Sequence, residues 1–209
     1  MTDEAGKARE AGQLGRAGNL YTAAAHEHAG TVTEHSGPEP DHTERAVARF
    51  VYAATCYRIA GNDFRTQNRC DIGILLAEDY AAYLADRDFE PGTFADLRRG
   101  AWPEFIGDLR TIAQRDDADD AYDRAIEIYD SVGDWEFVYG EQEHIRLASY
   151  YRDVRRGLGD KIPDDAPEAK GFGTTFAEWV AYKRERLSDL LNALEAQQAW
   201  PVPQGQTNE

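Results

Sequence analysis

Apolar residues recur at helical spacing in every long segment of this 209-residue chain, and no segment alternates cleanly with a period of two. A half-buried strand hides every second side chain, so this pattern excludes a sheet-based fold and predicts an all-α one. Seven helices are expected, at about Asp3–Ala29, Thr43–Ala60, Asp63–Asp86, Thr93–Gln114, Asp116–Val132, Asp134–Gly157 and Thr175–Gln198. In the second, Val47, Phe50, Val51, Ala54 and Tyr57 form the apolar stripe; in the third, Ile72, Leu75, Leu76, Tyr80, Tyr83 and Leu84 do. The first contains several glycines, and Pro103 should kink or restart the fourth.

One phrase then recurs. Tyr57-x-x-x-Gly61-Asn62 returns as Tyr129-x-x-x-Gly133-Asp134, an offset of 129 − 57 = 72 residues. Each copy closes one periodic run and opens another, so each reads as a turn between antiparallel helices. In the fifth helix, Ala118, Tyr122 and Ala125 set small residues around an aromatic, so that a paired helix can approach while the ring fills the gap beyond. These residues, with Gly107 in the helix before, resemble the tetratricopeptide repeat, whose period of about 34 residues is close to half the offset. The alanine-rich stretch Gly15–Ala29 is similar to helices of soluble NSF attachment proteins, a related stack. The Trp-x-x-Leu-Gly start and the closing proline of the repeat are absent. The resemblance implies antiparallel hairpins stacked as a right-handed superhelix, ended by a C-terminal capping helix; an irregular helical bundle is the alternative. It divides the chain into a hairpin domain over 1–157, a linker over 158–173, the capping helix over 174–198 and a flexible tail over 199–209.

The net charge is −16, which argues against a nucleic-acid partner, and Arg98-Arg99 and Arg152 with Arg155-Arg156 sit among acids. Only four of the 23 basic residues are lysine: Lys7, Lys161, Lys170 and Lys183. Carboxylate excess with so little lysine resembles the cytoplasmic proteins of salt-accumulating halophiles, where molar salt screens the repulsion. No apolar run is long enough to span a bilayer, and the acidic start Met1-Thr-Asp-Glu has none of the features of a signal peptide, so a cytoplasmic protein without a membrane partner is expected. Cys56 and Cys70 flank the Gly61-Asn62 turn and could face each other, but a reducing compartment favours free thiols.

Two functions compete. A repeat stack implies a protein-interaction module that grips a partner on its concave face and needs no cofactor. Tyr139, Glu143, Arg146 and Tyr150 are the candidate contacts, because they share one helix face that mixes aromatic and charged surface. The alternative is a ferritin-like metal-dependent oxidoreductase, for which Glu141-x-x-His144 has the ligand spacing. Such a site needs a second motif and two more glutamates, and only one motif is found. His26 and His28 point in different directions on a helix, and the Asp116–Asp120 run lacks the glycine and closing glutamate of a calcium loop.

Overall fold

A computed structural model describes residues 2–30, 40–86, 94–133, 142–159 and 174–200. Every element among them is an α-helix: α1 (Thr2–Glu10), α2 (Leu14–Gly30), α3 (Pro40–Ile59), α4 (Asp63–Ala85), α5 (Phe94–Ile112), α6 (Ala118–Val132), α7 (Gln142–Gly157) and α8 (Phe176–Gln197). The expected all-α class is therefore observed, with one more helix among the described residues than the sequence suggested. The single helix expected over Asp3–Ala29 is broken at Gly12, whose φ of 71° is left-handed.

Three turns share one closure. At Gly61 the amide of Gly61 donates to the Arg58 carbonyl at 2.9 Å, and that of Asn62 to Tyr57 at 2.9 Å. This paired bond satisfies the last carbonyls of α3 and requires a left-handed residue at Gly61, φ 68°. The Asn62 side chain then accepts from the Arg65 amide at 3.1 Å, so one residue ends a helix and caps the next. The same two bonds recur at Gly12 and at Gln114, where a non-glycine takes φ 57°. These turns join α1 to α2, α3 to α4 and α5 to α6. The recurring phrase is thus only half a structural repeat. Gly133 ends α6 with φ 114° and ψ −178°, a different conformation from that of Gly61. Asp134 lies outside the described residues.

Neighbouring helices pack in order from α1 to α6, and α3 also touches α5. Beyond α6 the pattern changes. Instead of running back along α6 as a hairpin partner, α7 packs chiefly on α3, α5 and α8. Helix α8 does not merely cap an end: it lies along α6 and reaches α3, α5 and α7, burying Phe176, Trp179, Val180, Leu187, Leu191 and Leu194. Its start is fixed by a capping box in which Thr175 and Glu178 bond each other's backbone amides.

The stretch read as a tail also departs from expectation at its first residues. Trp200 is fully buried and stacks on Tyr52 of α3 at 5.8 Å. Its indole donates to the Asp153 carbonyl of α7 at 3.0 Å, and the Arg9 guanidinium of α1 lies 4.6 Å above its ring. The Asp153 carboxylate accepts from both Arg9, at 3.1 Å, and Tyr52, at 3.0 Å. Residues 201–209 and most of the expected linker lie outside the described residues. Cys56 and Cys70 are both free and buried, and burial pushes each thiol up to about 12. Neither is therefore a ready nucleophile.

Candidate functional site

Helix α5 divides its surface into three stripes. The first, Gly100 and Gly107, lies against α6. A methyl group at Gly107 would come within 2.6 Å of the Tyr122 ring, and one at Gly100 would collide with Tyr129. Small residues here let two aromatic rings close on the helix backbone, which brings α5 and α6 into close approach.

The second stripe carries charge into the core. Glu104 and Asp108 are buried, as is Lys183 of α8. The Lys183 ammonium donates to Glu104 Oε1 at 2.5 Å and to Asp108 Oδ2 at 3.0 Å. Tyr122 donates to Asp108 at 2.8 Å and Tyr129 to Glu104 at 3.0 Å, so the two rings that need the glycines also complete this network. Two buried carboxylates share one buried ammonium. Burial pushes the Asp108 carboxyl up, to about 6, with Glu104 adding to the rise and Lys183 opposing it. Burial opposes the charge on Lys183, but the two carboxylates together hold it above its usual range. This network fixes α8 to α5. Sequence reasoning missed this network; the one available signal was a rare lysine, Lys183, standing on the apolar stripe of α8.

The third stripe of α5 holds Arg99, Pro103, Ile106 and Arg110. With Ala81, Ala82 and Ala85 of α4 and Ala121, Arg124 and Ile128 of α6 it lines a half-open groove of about 630 Å³. Nearer its N-terminus, α4 shows two large apolar side chains to solvent: Phe64 is 81% exposed and Leu75 64%. Leu75 was expected to face inward. The two are 75 − 64 = 11 residues apart, three helical turns, so they share one outer stripe.

The residues singled out on α7 turn the other way. Tyr150 is buried; its hydroxyl meets Thr55 Oγ1 at 2.8 Å, and Thr55 itself donates to the Val51 carbonyl. Glu143 is buried and accepts from Arg98 Nε at 2.7 Å. Arg146 is half-buried and paired with Glu44. The three do share a face, as their spacing requires, but Glu143 and Tyr150 turn it inward against α3 and α5. Tyr139 lies outside the described residues, as does Glu141 of the metal alternative. His144 is enclosed, its ring 4.5 Å from Phe176 and 5.8 Å from Tyr129. Burial and the nearby Arg98 charge lower it to about 3, although a backbone bond to Leu97 favours the charged form. Among the described residues no group of three or more His, Cys, Asp and Glu is arranged to hold a metal ion. Nor is any helix there long and apolar enough to cross a membrane.

Among the described residues the chain is all-helical, with a charged network buried between α5, α6 and α8 and an open groove between α4, α5 and α6. No family model, no curated protein and no solved structure matches this chain.

Proposed function

We propose that this chain is a protein-interaction module, a stack of helical hairpins in the manner of tetratricopeptide repeats, working in a salt-rich cytoplasm. The consecutive pairing of α1 to α6, the α3–α5 contact and the shared turn closure support a stack. In such a stack α3 and α5 line the inner face, and here the chain's own α7 and α8 lie against both. On this reading the partner binds on α4.

The observation that carries this reading is the outer stripe of α4. Phe64 and Leu75 stand in water on one face of a helix with a highly polar surface elsewhere. A large apolar residue exposed alone is ordinary, but two aligned along a helix form an anchor pair for a partner's apolar side chains. The test is capture by immobilised protein. Partners retained by the wild type and identified by mass spectrometry should be lost from the Phe64→Ser/Leu75→Ser double variant. Binding should weaken by about 1–3 kcal/mol while circular dichroism is unchanged. A folded double variant that retains the same partners at full strength rejects α4 as the binding face.

A further inference from the structure

Arginines drawn out of water in this fold meet acids: Arg9 pairs with Asp153, Arg58 with Glu195 and Arg98 with Glu143. Arg45 and Arg49 of α3 are half-buried too, yet among the described residues neither forms a hydrogen bond or an ion pair. The Nε atom of each is enclosed and meets no acceptor. The two stand four residues apart, so they leave one face of the helix as neighbours, about 5–6 Å apart at Cβ.

More cations close on this pair from the neighbouring helices. Arg146 of α7 is held beside it by Glu44. His42, one turn before Arg45, lies 6.1 Å ring to ring from His28 of α2. The groups repel one another. Burial lowers the Arg49 guanidinium from its usual range, Arg146 and Arg45 lower it further, and the neighbours that favour its charge, Tyr52 and Tyr21, are phenols rather than carboxylates. Burial also lowers His28, with Arg49, Arg45 and His42 adding to the fall and Glu27 opposing it. Of the acids nearby, Glu44 is engaged with Arg146, and Asp153 is shared by Arg9 and Tyr52. The chain has 39 acidic residues against 23 basic ones, yet no described carboxylate pairs with Arg45 or Arg49. Like charges gathered from three helices call for an anion from outside.

We infer that Arg45 and Arg49 hold a phosphate dianion, free or as the monoester of a small molecule, where α3 lies between α2 and α7. The two guanidiniums donate to its oxygens, and Arg146 adds a third positive charge. A dianion with three or more acceptor oxygens can engage two planar forks at once, whereas one fork already fills both oxygens of a carboxylate. The site shares no residue with the Phe64 and Leu75 stripe of α4.

The probes are inorganic phosphate and phenyl phosphate. Each is titrated into the full chain by calorimetry at about pH 7.5, where both are mainly dianions. Potassium chloride holds the ionic strength constant, so chloride competes throughout. One saturable site is expected. Arg45→Gln/Arg49→Gln should weaken it at least tenfold, while Arg124→Gln, which removes an exposed arginine of α6, should leave it unchanged. The Phe64→Ser/Leu75→Ser variant should bind phosphate normally. Tighter binding of phenyl phosphate assigns the site to an ester, and binding of phosphate at least as tight assigns it to the free ion. Acetate bound as tightly as phosphate would overturn the dianion assignment. Absence of saturation, or undiminished affinity in the double arginine variant, would overturn the site. If that variant fails to fold, Arg45→Gln decides alone. A protein that captures its partner through α4 yet ignores both phosphates would reject this inference and leave the proposed function standing.

Discussion

Asp108 and His144 are both fully enclosed, and they respond to acid in opposite senses. Asp108 titrates at about 6 in the folded chain against a usual value of 3.8. Between these the native state holds a proton that the unfolded chain has released, so this group adds stability as pH falls from about 6 toward 4. His144 titrates at about 3 folded against 6.5 ordinarily. Below about 6.5 the unfolded chain takes up a proton that the native state refuses, so this group costs stability over the same window. Each slope is at most about 1.4 kcal/mol per pH unit, and in wild type they oppose. Asp108→Asn should therefore make the protein lose stability on acidification faster than wild type, and His144→Phe should make it lose less. Urea unfolding at about pH 4.5, 5.5 and 6.5 measures both, with each variant departing from wild type by about 2 kcal/mol across the window, in opposite directions. Curves parallel to wild type would mean that neither group is buried as described. Neither environment was legible in the sequence. Helical spacing tells which side chains share a face, as it did for Glu143, Arg146 and Tyr150, but not whether that face meets water or another helix.

Helix α8 is the element whose role differs most from its sequence appearance. Its leucine stripe predicted an amphipathic helix, and its bounds, Phe176–Gln197, fall within a residue of the expected ones. What the stripe concealed was Lys183, placed among apolar neighbours because two carboxylates of α5 await it. Removing the ammonium while leaving both acids buried should cost about 3–5 kcal/mol, so Lys183→Met should lower the unfolding midpoint severely at neutral pH. The triple variant Lys183→Met/Glu104→Gln/Asp108→Asn should regain most of that loss, because Gln and Asn still accept from Tyr129 and Tyr122 without charge. Thermal unfolding of the two variants decides; a triple variant as weak as the single one would show that α8 is held by something other than this pairing. The turns were partly legible for a related reason. Gly61 announces its left-handed backbone, whereas Gln114 adopts the same conformation with a side chain that gives no warning. The break at Gly12 was hidden by the alanines around it.

Over the whole molecule, charge is the largest opposing force that the fold leaves unneutralised. With −16 on 209 residues, mutual repulsion favours expansion at low ionic strength, and salt relieves it. The thermal midpoint should rise along a potassium chloride series from low to molar concentration. A flat or falling midpoint would reject adaptation to salt. The class of fold was readable from periodicity because helices announce their own spacing. The order of packing beyond α6 was not, since nothing in the phrase around Gly133 says that the chain will cross to α3 and α5. Trp200 adds a temporal dimension to this arrangement. It touches Arg9 of α1, Tyr52 of α3 and Asp153 of α7 at once. A chain emerges from the ribosome N-terminus first, at about 5–20 residues per second, so the first hairpins can pair for many seconds before this indole is made. Until then Tyr52 lacks its stacking partner and Arg9 the nearer of the two rings it lies over. A ribosome that stalls before codon 200 therefore leaves α1 packed on α2 but without the indole that joins it to α3 and α7 in the finished protein.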